Sequence, residues 1–262
     1  EGHPLGPQAS PKSFPKAFSV VIIRRSLMRY LILSDIHANR EALNTVLAQA
    51  EGKYDRVICL GDVVGYGPDP NQVSDRSREL APVARVRGNH DKACCGIDSA
   101  EDFTSIARKA AFWTREQLRA DNLTYLLQLP RGPVRCPTEG GAFQIVHGSV
   151  RDEDEYLFTP AEALESLKIA ETSLTFFGHT HFQGGFSLND TGQVEVLRTQ
   201  MGPGVASVEL TLDPATRYLI NPGSIGQPRD GDSRAAFAIL EPERQRVEFW
   251  RVPYNIEVTQ KK

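Results

Sequence analysis

Several features that would narrow the function are missing from this sequence of 262 residues. No apolar run approaches the roughly 20 residues that a bilayer-spanning helix needs, so we expect no membrane partner. The net charge of −3 gives no broad positive surface for nucleic acid, and we expect no stable nucleic-acid complex. The balance of apolar and charged residues is that of an ordinary globular protein.

The four cysteines include no Cys-x-x-Cys pair, which argues against a zinc ribbon and against a redox motif. They are Cys59, Cys94, Cys95 and Cys136. Adjacent Cys94 and Cys95 could bridge only through a strained ring. We therefore predict free thiols in a reducing compartment, which indicates a cytoplasmic location. A regulatory role for Cys94 and Cys95 is the alternative, because they follow one of the motifs described below.

The length fits one large domain, or one domain with an insertion. Residues 1–27 contain four prolines and are predicted to be a loose, dispensable leader, with Met28 as the natural start. The main domain is expected at 28–255, followed by a tail at 256–262. Within it, a helical cap insertion is expected at about 99–130.

Short apolar runs alternate with helical patterns in the first two thirds of the chain. Several runs are almost continuously hydrophobic, which is typical of strands covered on both faces. The runs are 30–33, 56–60, 83–86, 143–146 and 174–177. Asn39 and Asp69 are predicted helix caps, and Thr159 and Glu162 have the spacing of a capping box. This alternation predicts an α/β architecture.

The pattern changes after Gly184, where strand-like segments are joined by turn residues and no long helix is indicated. These segments are 186–188, 194–197, 205–212, 218–220, 235–240 and 247–252. We expect this half to form an antiparallel sheet packed against the first half.

The insertion is predicted to contain two helices, at 99–118 and 123–129. They could lie as a cap over the motif residues described below. Its large apolar side chains are predicted to be its own packing surface rather than a platform for substrate. They are Phe103, Phe112, Trp113, Tyr125 and Leu126.

Six short segments place acidic, amide and imidazole side chains just past predicted strands. They are 34–37, 61–62, 88–91, 147–148, 178–181 and 221–224, and they contain five of the six histidines. Open α/β sheets bind ligands beyond the carboxyl ends of their strands, so these side chains are expected to converge. Two metal ions held side by side are a general means of displacing a group from phosphorus.

The spacing within the segments suits metal coordination. Residues two apart in an extended chain point the same way, so Asp35 and His37 could aim at one centre, as could His179 and His181. Asp62 is the natural bridge, because a carboxylate can bind two ions at once.

Asn89 offers a neutral oxygen, which limits the negative charge that an approaching phosphate would meet. The mixture of imidazole and oxygen ligands suits Mn, Fe, Zn, Co or Ni better than Ca or Mg alone.

This ordered series resembles the calcineurin-like metallophosphoesterase superfamily, and the resemblance covers residues 28 to about 252. It implies a four-layer αββα sandwich (α+β in class), with a dimetal site at the carboxyl edge of the strands. The implied ligands of one metal are Asp35, His37, His181 and the bridging Asp62. Those of the other are Asp62, Asn89, His147 and His179. We expect two divalent ions, Mn first, with Fe, Zn, Ni or Co as alternatives.

The resemblance also implies catalytic roles. A hydroxide bridging the two metals would attack phosphorus in line, while His90 binds the phosphate and protonates the leaving oxygen. Asp91 would orient His90. Asn39 and Ser224 are expected to partner the second nitrogens of ligand imidazoles, although 221–224 could equally be only a turn.

Two further residues bear on the branch of the superfamily. Protein serine/threonine phosphatases and symmetric diadenosine tetraphosphate hydrolases carry an arginine where this chain has Tyr66, so Tyr66 disfavours both. The segments 61–70 and 221–229 look instead like those of compact prokaryotic phosphodiesterases. Arg229 is interpreted either as a contact to a substrate phosphate or as a surface ion pair.

The first functional hypothesis is a metal-dependent hydrolase of phosphodiesters, and alternatively also of monoesters, acting on a small molecule or nucleotide. The second is a protein phosphatase or dinucleoside polyphosphate hydrolase. The third is a non-catalytic scaffold with the same fold. A scaffold would be expected to have lost ligands, and this sequence retains all of them. The oligomeric state stays open.

Overall fold

The computed structural model describes residues 2, 27–199, 201–202 and 204–262. The predicted leader therefore lies outside the described residues, apart from Gly2 and Leu27. The strands are β1 Tyr30–Leu33, β2 Arg56–Cys59, β3 Ala84–Arg85, β4 Val134–Thr138, β5 Gly141–Ile145, β6 Leu174–Phe176, β7 Gly184–Leu188, β8 Val194–Arg198, β9 Ser207–Thr211, β10 Arg217–Asn221, β11 Ala235–Glu241 and β12 Arg246–Val252. The helices are α1 Arg40–Ala50, α2 Pro70–Glu79, α3 Asn89–Cys95, α4 Ser105–Gln117, α5 Ala120–Leu127, α6 Pro160–Ile169 and α7 Ile256–Gln260, with a 3₁₀ turn at Pro242–Arg244.

These strands form two mixed sheets of six. The first has the order β3-β2-β1-β11-β12-β9, and the second has the order β4-β5-β6-β10-β7-β8. Strands β1, β2 and β3 are parallel, as are β5, β6 and β10. Each sheet therefore has a parallel half, and the carboxyl ends of those halves carry the motif residues.

The later strands do not form a sheet of their own, so that expectation is wrong. Strand β11 pairs antiparallel with β1 in the first sheet, whereas β10 pairs parallel with β6 in the second. Both sheets mix early and late strands. Strand β4 was not predicted, because it is an edge strand with Pro137 and only one buried residue.

Alternate side chains of the central strands enter different cores, which explains their continuous hydrophobicity. In β1, Leu31 and Leu33 pack towards α1, while Tyr30 and Ile32 enter the core between the sheets. A third core lies between the second sheet and α6. The result is a helix, sheet, sheet, helix order, which confirms the predicted four-layer α+β sandwich.

Local sequence accounts for most of the predicted helix starts. The Asn39 side chain accepts from the amide of Ala42, and Thr159 and Glu162 form the predicted capping box of α6. Helix α2 does begin after Asp69, but that side chain does not cap it. Asp69 instead accepts a hydrogen bond from Lys262 at 2.5 Å. The segment predicted as a tail thus forms α7 and packs on α1.

The insertion forms two helices, α4 and α5, which pack against α2 and α3. Tyr125 and Leu126 are buried, as a packing surface requires. Phe112 and Trp113 are 40% and 43% exposed, so the packing prediction is wrong for these two. Phe103 approaches the motif residues, with its ring centroid 4.7 Å from that of His90.

All four cysteines are buried free thiols, as predicted. Burial raises the pKa of the Cys94 and Cys95 thiols above the ordinary value, which lowers their reactivity. In the part of the chain that the structure describes, no helix is both long and apolar enough to cross a membrane.

Candidate metal centre

The predicted ligands converge where the parallel halves of the two sheets meet. Asp35, His37, Asp62 and His181 form one group of possible metal ligands, and Asp62, His147 and His179 form a second. Within each group the ligand atoms lie within 4.8 Å of one another, and all of these residues are buried. Asp62 belongs to both groups, which is the placement expected of a bridging ligand. The individual ligand roles stay predictions.

The backbone at these residues is unusual for non-glycine side chains. Five of the seven predicted ligands have positive φ, between 49° and 66°: Asp35, His37, Asp62, His179 and His181. This left-handed conformation carries a cost for residues with a Cβ and is concentrated at functional sites. The backbone at Gly178 also lies close to a predicted ligand, since a Cβ there would lie 2.9 Å from the Asp35 carboxylate. The chain therefore gives up local stability to bring these side chains together.

Each of the four buried imidazoles in the two groups has one nitrogen against a backbone carbonyl oxygen. Nδ1 of His37 faces Val64, Nδ1 of His147 faces Leu60, Nε2 of His179 faces Asp154 and Nδ1 of His181 faces Gln227, at 3.3, 2.8, 3.0 and 2.6 Å. A carbonyl only accepts, so each of these nitrogens carries the hydrogen. In the neutral form of each ring the other nitrogen presents a lone pair, and this is the form that binds a metal.

Those lone pairs face other acceptors at short distance. Nε2 of His37 lies 3.0 Å from Nε2 of His181, and Nε2 of His147 lies 3.2 Å from Oδ1 of Asn89. The buried Oδ2 of Asp62 has no hydrogen-bond partner among the described residues. It lies 3.6 Å from His37 Nε2 and 3.4 Å from His147 Nε2. Acceptors gathered in this way repel one another unless a proton or a metal cation lies among them, and this set of imidazole and carboxylate donors fits two metal ions.

Electrostatics within the centre favour ionised carboxylates. Burial alone would favour the neutral acid, but the neighbouring imidazoles hold the pKa of Asp35 and of Asp62 below the ordinary range. Burial lowers the pKa of His37 and brings that of His179 to about 3. At His147 burial also lowers the pKa, but the charge of Asp62 outweighs it and raises the pKa to about 10, so His147 carries a proton that a bound metal would displace. Charged carboxylates and neutral imidazoles are the protonation states that coordinate divalent metals.

Asn39 and Ser224 do not contact the imidazoles, so that expectation is wrong. Asn39 donates to the carbonyl of Gly226 and to Tyr254, in addition to capping α1. Ser224 donates to the carbonyl of Asp35 at 2.8 Å and accepts from the amide of Gln227 at 2.8 Å. Since the Gln227 carbonyl faces His181, Ser224 supports two predicted ligands through the backbone.

Asp91 does not orient His90, contrary to expectation. Its carboxylate accepts from the amides of Val64 and Gly88, which ties the start of α3 to the segment that follows β2. The Nδ1 atom of buried His90 has no hydrogen-bond partner among the described residues. Burial lowers the pKa of His90 to about 4, and burial together with the charge of Asp62 raises that of Asp91 to about 7.

Arg229 lies at the mouth of the centre beside Tyr66. Its guanidinium is hydrogen-bonded to Gln227 at 2.7 Å, lies 3.4 Å from the Tyr66 hydroxyl and also approaches Tyr156. The Tyr66 ring packs against His90 and His37, with centroids 4.4 and 5.0 Å apart. Within the described residues, no carboxylate lies at ion-pair distance from Arg229, which removes the surface ion pair as its explanation.

The role of the loop at 149–156 was not predicted from the sequence. Tyr156 stacks on His179 with centroids 3.8 Å apart, and the Asp154 carbonyl accepts from the same ring. Glu153 anchors this loop, because it accepts from Arg87 at 2.7 Å and from Lys92 at 3.2 Å. The only sequence signal was the run of acidic residues after His147, and that pattern is common in loops.

Comparisons with known proteins agree with this architecture. Residues 28–245 match the Calcineurin-like phosphoesterase superfamily domain. The chain belongs to this superfamily. The predicted resemblance is thereby confirmed, and family membership together with the Asp/His cluster indicates that this phosphoesterase binds divalent metal.

Similar proteins cover most of the phosphoesterase chain. A metallophosphoesterase from Sphaerobacter thermophilus is 40% identical, with a TM-score of 0.74 over 90% of this chain and 92% of that one. An uncharacterized protein of Methanocaldococcus jannaschii is 33% identical over 86% of this chain and 88% of its own length. A hypothetical protein from Pyrococcus horikoshii has a TM-score of 0.72 at 18% identity, covers 89% and 91% of the two chains, and shares the fold.

Proposed function

We propose that this phosphoesterase is a phosphodiesterase that uses two divalent metal ions, Mn first, and acts on a small-molecule or nucleotide ester. The proposal rests on two ring nitrogens, Nε2 of His37 and Nε2 of His181, which lie 3.0 Å apart. Each can present a lone pair, because Nδ1 of the same ring faces a backbone carbonyl and carries the hydrogen. That arrangement suits a cation and is costly without one. The preference for diesters rests on the loops at 61–70 and 221–229.

The predicted ligands form two sets at the metal centre, one for each ion. One ion would be held by Asp35, His37, Asp62 and His181, and the other by Asp62, Asn89, His147 and His179. When bound, the ions would polarise the phosphoryl oxygens and supply a hydroxide nucleophile at neutral pH. Burial of the donors excludes water from all but the mouth of the centre.

His90 is placed to meet the substrate beside the metals. Its ring lies 4.9 Å from that of His37 and is held between Tyr66 and Phe103. With a pKa of about 4 it is neutral before substrate arrives, so it first donates an N–H hydrogen bond to a phosphoryl oxygen. The negative charge of the substrate raises the pKa of His90, so the ring takes up a second proton from solvent and passes it to the leaving oxygen.

Arg229 supplies the positive charge at the mouth. Its described partners are neutral oxygens of Gln227 and Tyr66, so its charge is available to a phosphate oxygen. This contact would lie on the substrate side of the metals.

Hydrolysis of two model esters tests the proposal. Metal-free protein is supplied singly with Mn, Ni, Co, Zn or Mg, and cleavage of bis-p-nitrophenyl phosphate and of p-nitrophenyl phosphate is followed. Metal-dependent cleavage of the diester is expected, fastest with Mn. Cleavage of the monoester alone would replace the diesterase by a phosphatase, and metal binding without any cleavage would favour the scaffold.

A further inference from the structure

A row of three exposed aromatic side chains begins at the metal centre. The Tyr156 ring stacks on His179, and the Phe158 ring stacks on Tyr156 with centroids 5.3 Å apart and planes at 8°. Phe182, the residue after His181, meets Phe158 edge to face at 5.9 Å. We call Tyr156, Phe158 and Phe182 the aromatic row. Their exposed fractions are 42%, 54% and 46%, although large aromatic side chains are ordinarily well covered.

Backbone and ring contacts position the row despite its exposure. The amide of Phe158 donates to Glu162 in the capping box of α6 at 2.8 Å. A hydrophobic residue at this position before a helix often packs against the helix's own first turns. Here the ring turns to Tyr156 instead and stays more than half exposed. Phe182 lies in the chain between two buried residues, His181 and Gln183. Flat rings that are already in place lose little entropy on binding a ligand.

Beyond the row lies a cavity of about 970 Å³. Phe158, Phe182 and Thr180 contribute to its wall, and Thr180 stands between His179 and His181. None of the predicted metal ligands lines it. The row is therefore the boundary between the metal centre and a space of the size that holds small organic ligands.

We propose that the aromatic row binds the nucleobase of a nucleotide phosphoester whose phosphate lies at the metals. This inference rests on the proposed function and names its substrate class. The position of the row beside His179 indicates which part of a ligand it binds. A substrate with its phosphorus at the metals extends one of its ester groups past His179 and onto the row. Arg229 holds the anionic part, while a planar base offers the π-face that stacks on Phe158 or Phe182.

The test compares two competitive inhibitors that differ only in the base, adenosine 5′-monophosphate and ribose 5-phosphate. Mn-loaded protein hydrolyses bis-p-nitrophenyl phosphate in their presence. We expect adenosine 5′-monophosphate to inhibit about tenfold more tightly, which is the scale of one base stacked on one ring. Phe158→Ala and Phe182→Ala should each reduce this advantage, and the double variant should abolish it without changing inhibition by ribose 5-phosphate.

Matched variants separate stacking from damage to the fold. Phe158→Tyr keeps the ring and should keep the advantage of the base. Phe112→Ala removes a phenylalanine of comparable exposure on α4 and should change neither inhibition constant. Equal inhibition by the two compounds, inhibition by neither, or an advantage that survives in the double variant would overturn the proposal.

Failure of the proposed function can be recognised separately. If the protein hydrolyses neither model ester, the same pair of compounds is compared by the rise in melting temperature of Mn-loaded protein. A larger rise with adenosine 5′-monophosphate that is lost in the double variant would support the row while the hydrolase is rejected. No difference between the compounds there would reject the row as well.

Discussion

Gly65 makes room for the imidazole of His90. A Cβ at Gly65 would lie 2.5 Å from Nδ1 of His90, and Gly65 has a φ of +93°. The orientation of His90 therefore depends on a missing side chain at Gly65 and on the flanking rings of Tyr66 and Phe103. It does not depend on a hydrogen bond from the neighbouring Asp91.

Gly65→Ala should slow turnover while leaving metal content unchanged, because the methyl group displaces His90 and not a predicted ligand. Gly52→Ala is the control, since Gly52 also has positive φ but a Cβ there meets nothing within 4 Å. Both changes place a Cβ at positive φ, which strains the backbone by about 1–2 kcal/mol. Steady-state kinetics and metal analysis of the two variants decide the matter, and equal activity in both would remove Gly65 from this role.

His90→Ala should retain both metals and lose activity by about 10²- to 10⁴-fold on esters with poor leaving groups. The loss should be much smaller for bis-p-nitrophenyl phosphate, because p-nitrophenolate departs without a proton. The ratio of rates for an aryl and an alkyl ester measures this difference. A uniform loss on both esters would mean that His90 binds the phosphate and does not transfer a proton.

Ser224→Ala should weaken metal binding about 10- to 100-fold, the usual effect of removing support behind a ligand. The hydroxyl joins the Asp35 carbonyl to the Gln227 amide, and so it places both Asp35 and His181. Titration with Mn²⁺ monitored by calorimetry gives the affinity. Ser74→Ala is the matched control, because Ser74 is equally buried and its hydroxyl has no partner among the described residues.

Asp62→Ala should abolish the binding of both ions, since Asp62 is the one residue shared by the two groups. Addition of Mn²⁺ should raise the melting temperature of the wild-type protein, because an ion that binds only the native state stabilises it. The same addition should leave the variant unchanged. Retention of one ion per chain would show that the two groups bind independently.

Glu153→Gln should lower the free energy of unfolding by about 3 kcal/mol at pH 7, because it leaves Arg87 and Lys92 without their shared buried carboxylate. Burial raises the pKa of Glu153, but the bonds from Arg87 and Lys92 outweigh it and lower that pKa below the ordinary value. The stabilisation is thus complete above the unfolded carboxyl pKa of about 4.3 and is lost as the pH falls through the lower folded value. Chemical denaturation should show the two proteins converging in acid.

The control for this last prediction is Glu165→Gln, which removes an exposed ion pair with Lys168. Its effect should be under about 1 kcal/mol. If it matched that of Glu153→Gln, the loop at 149–156 would not depend on the buried carboxylate.

Much of the site could be predicted because its residues follow strands whose pattern is unambiguous. Asp35 and His37 come directly after β1, which is hydrophobic at every position because it is buried on both faces. The alternation of such strands with helices predicted an α/β architecture, whereas the four-layer sandwich was implied by the family resemblance. The assignment of the late strands failed, because Ile220 and Ile239 have similar neighbours in sequence but pair in different sheets.

The contacts around the ligands could not be predicted, since they are made largely by backbone carbonyls. His181 faces the backbone carbonyl of Gln227, and any residue type at that position would supply the same oxygen. The role of Asp91 was misjudged because adjacency to His90 in sequence does not imply contact at the start of a helix. Tyr156 was missed because nothing in a loop pattern indicates which ring lies on His179.

Each sheet combines strands from the early and the late part of the chain, and this determines what happens if the chain is cut in two. The segment that begins after β8 supplies β11 to the middle of the first sheet and β10 to the middle of the second. All predicted metal donors precede that point, whereas Ser224 and the carbonyl that faces His181 follow it. If the chain were divided there, the earlier fragment would lack the middle strand of each sheet, and the later fragment would carry those strands without their early neighbours. Only their reassociation would restore the support behind Asp35 and His181. Metal affinity would then report on the reassembly of a divided chain.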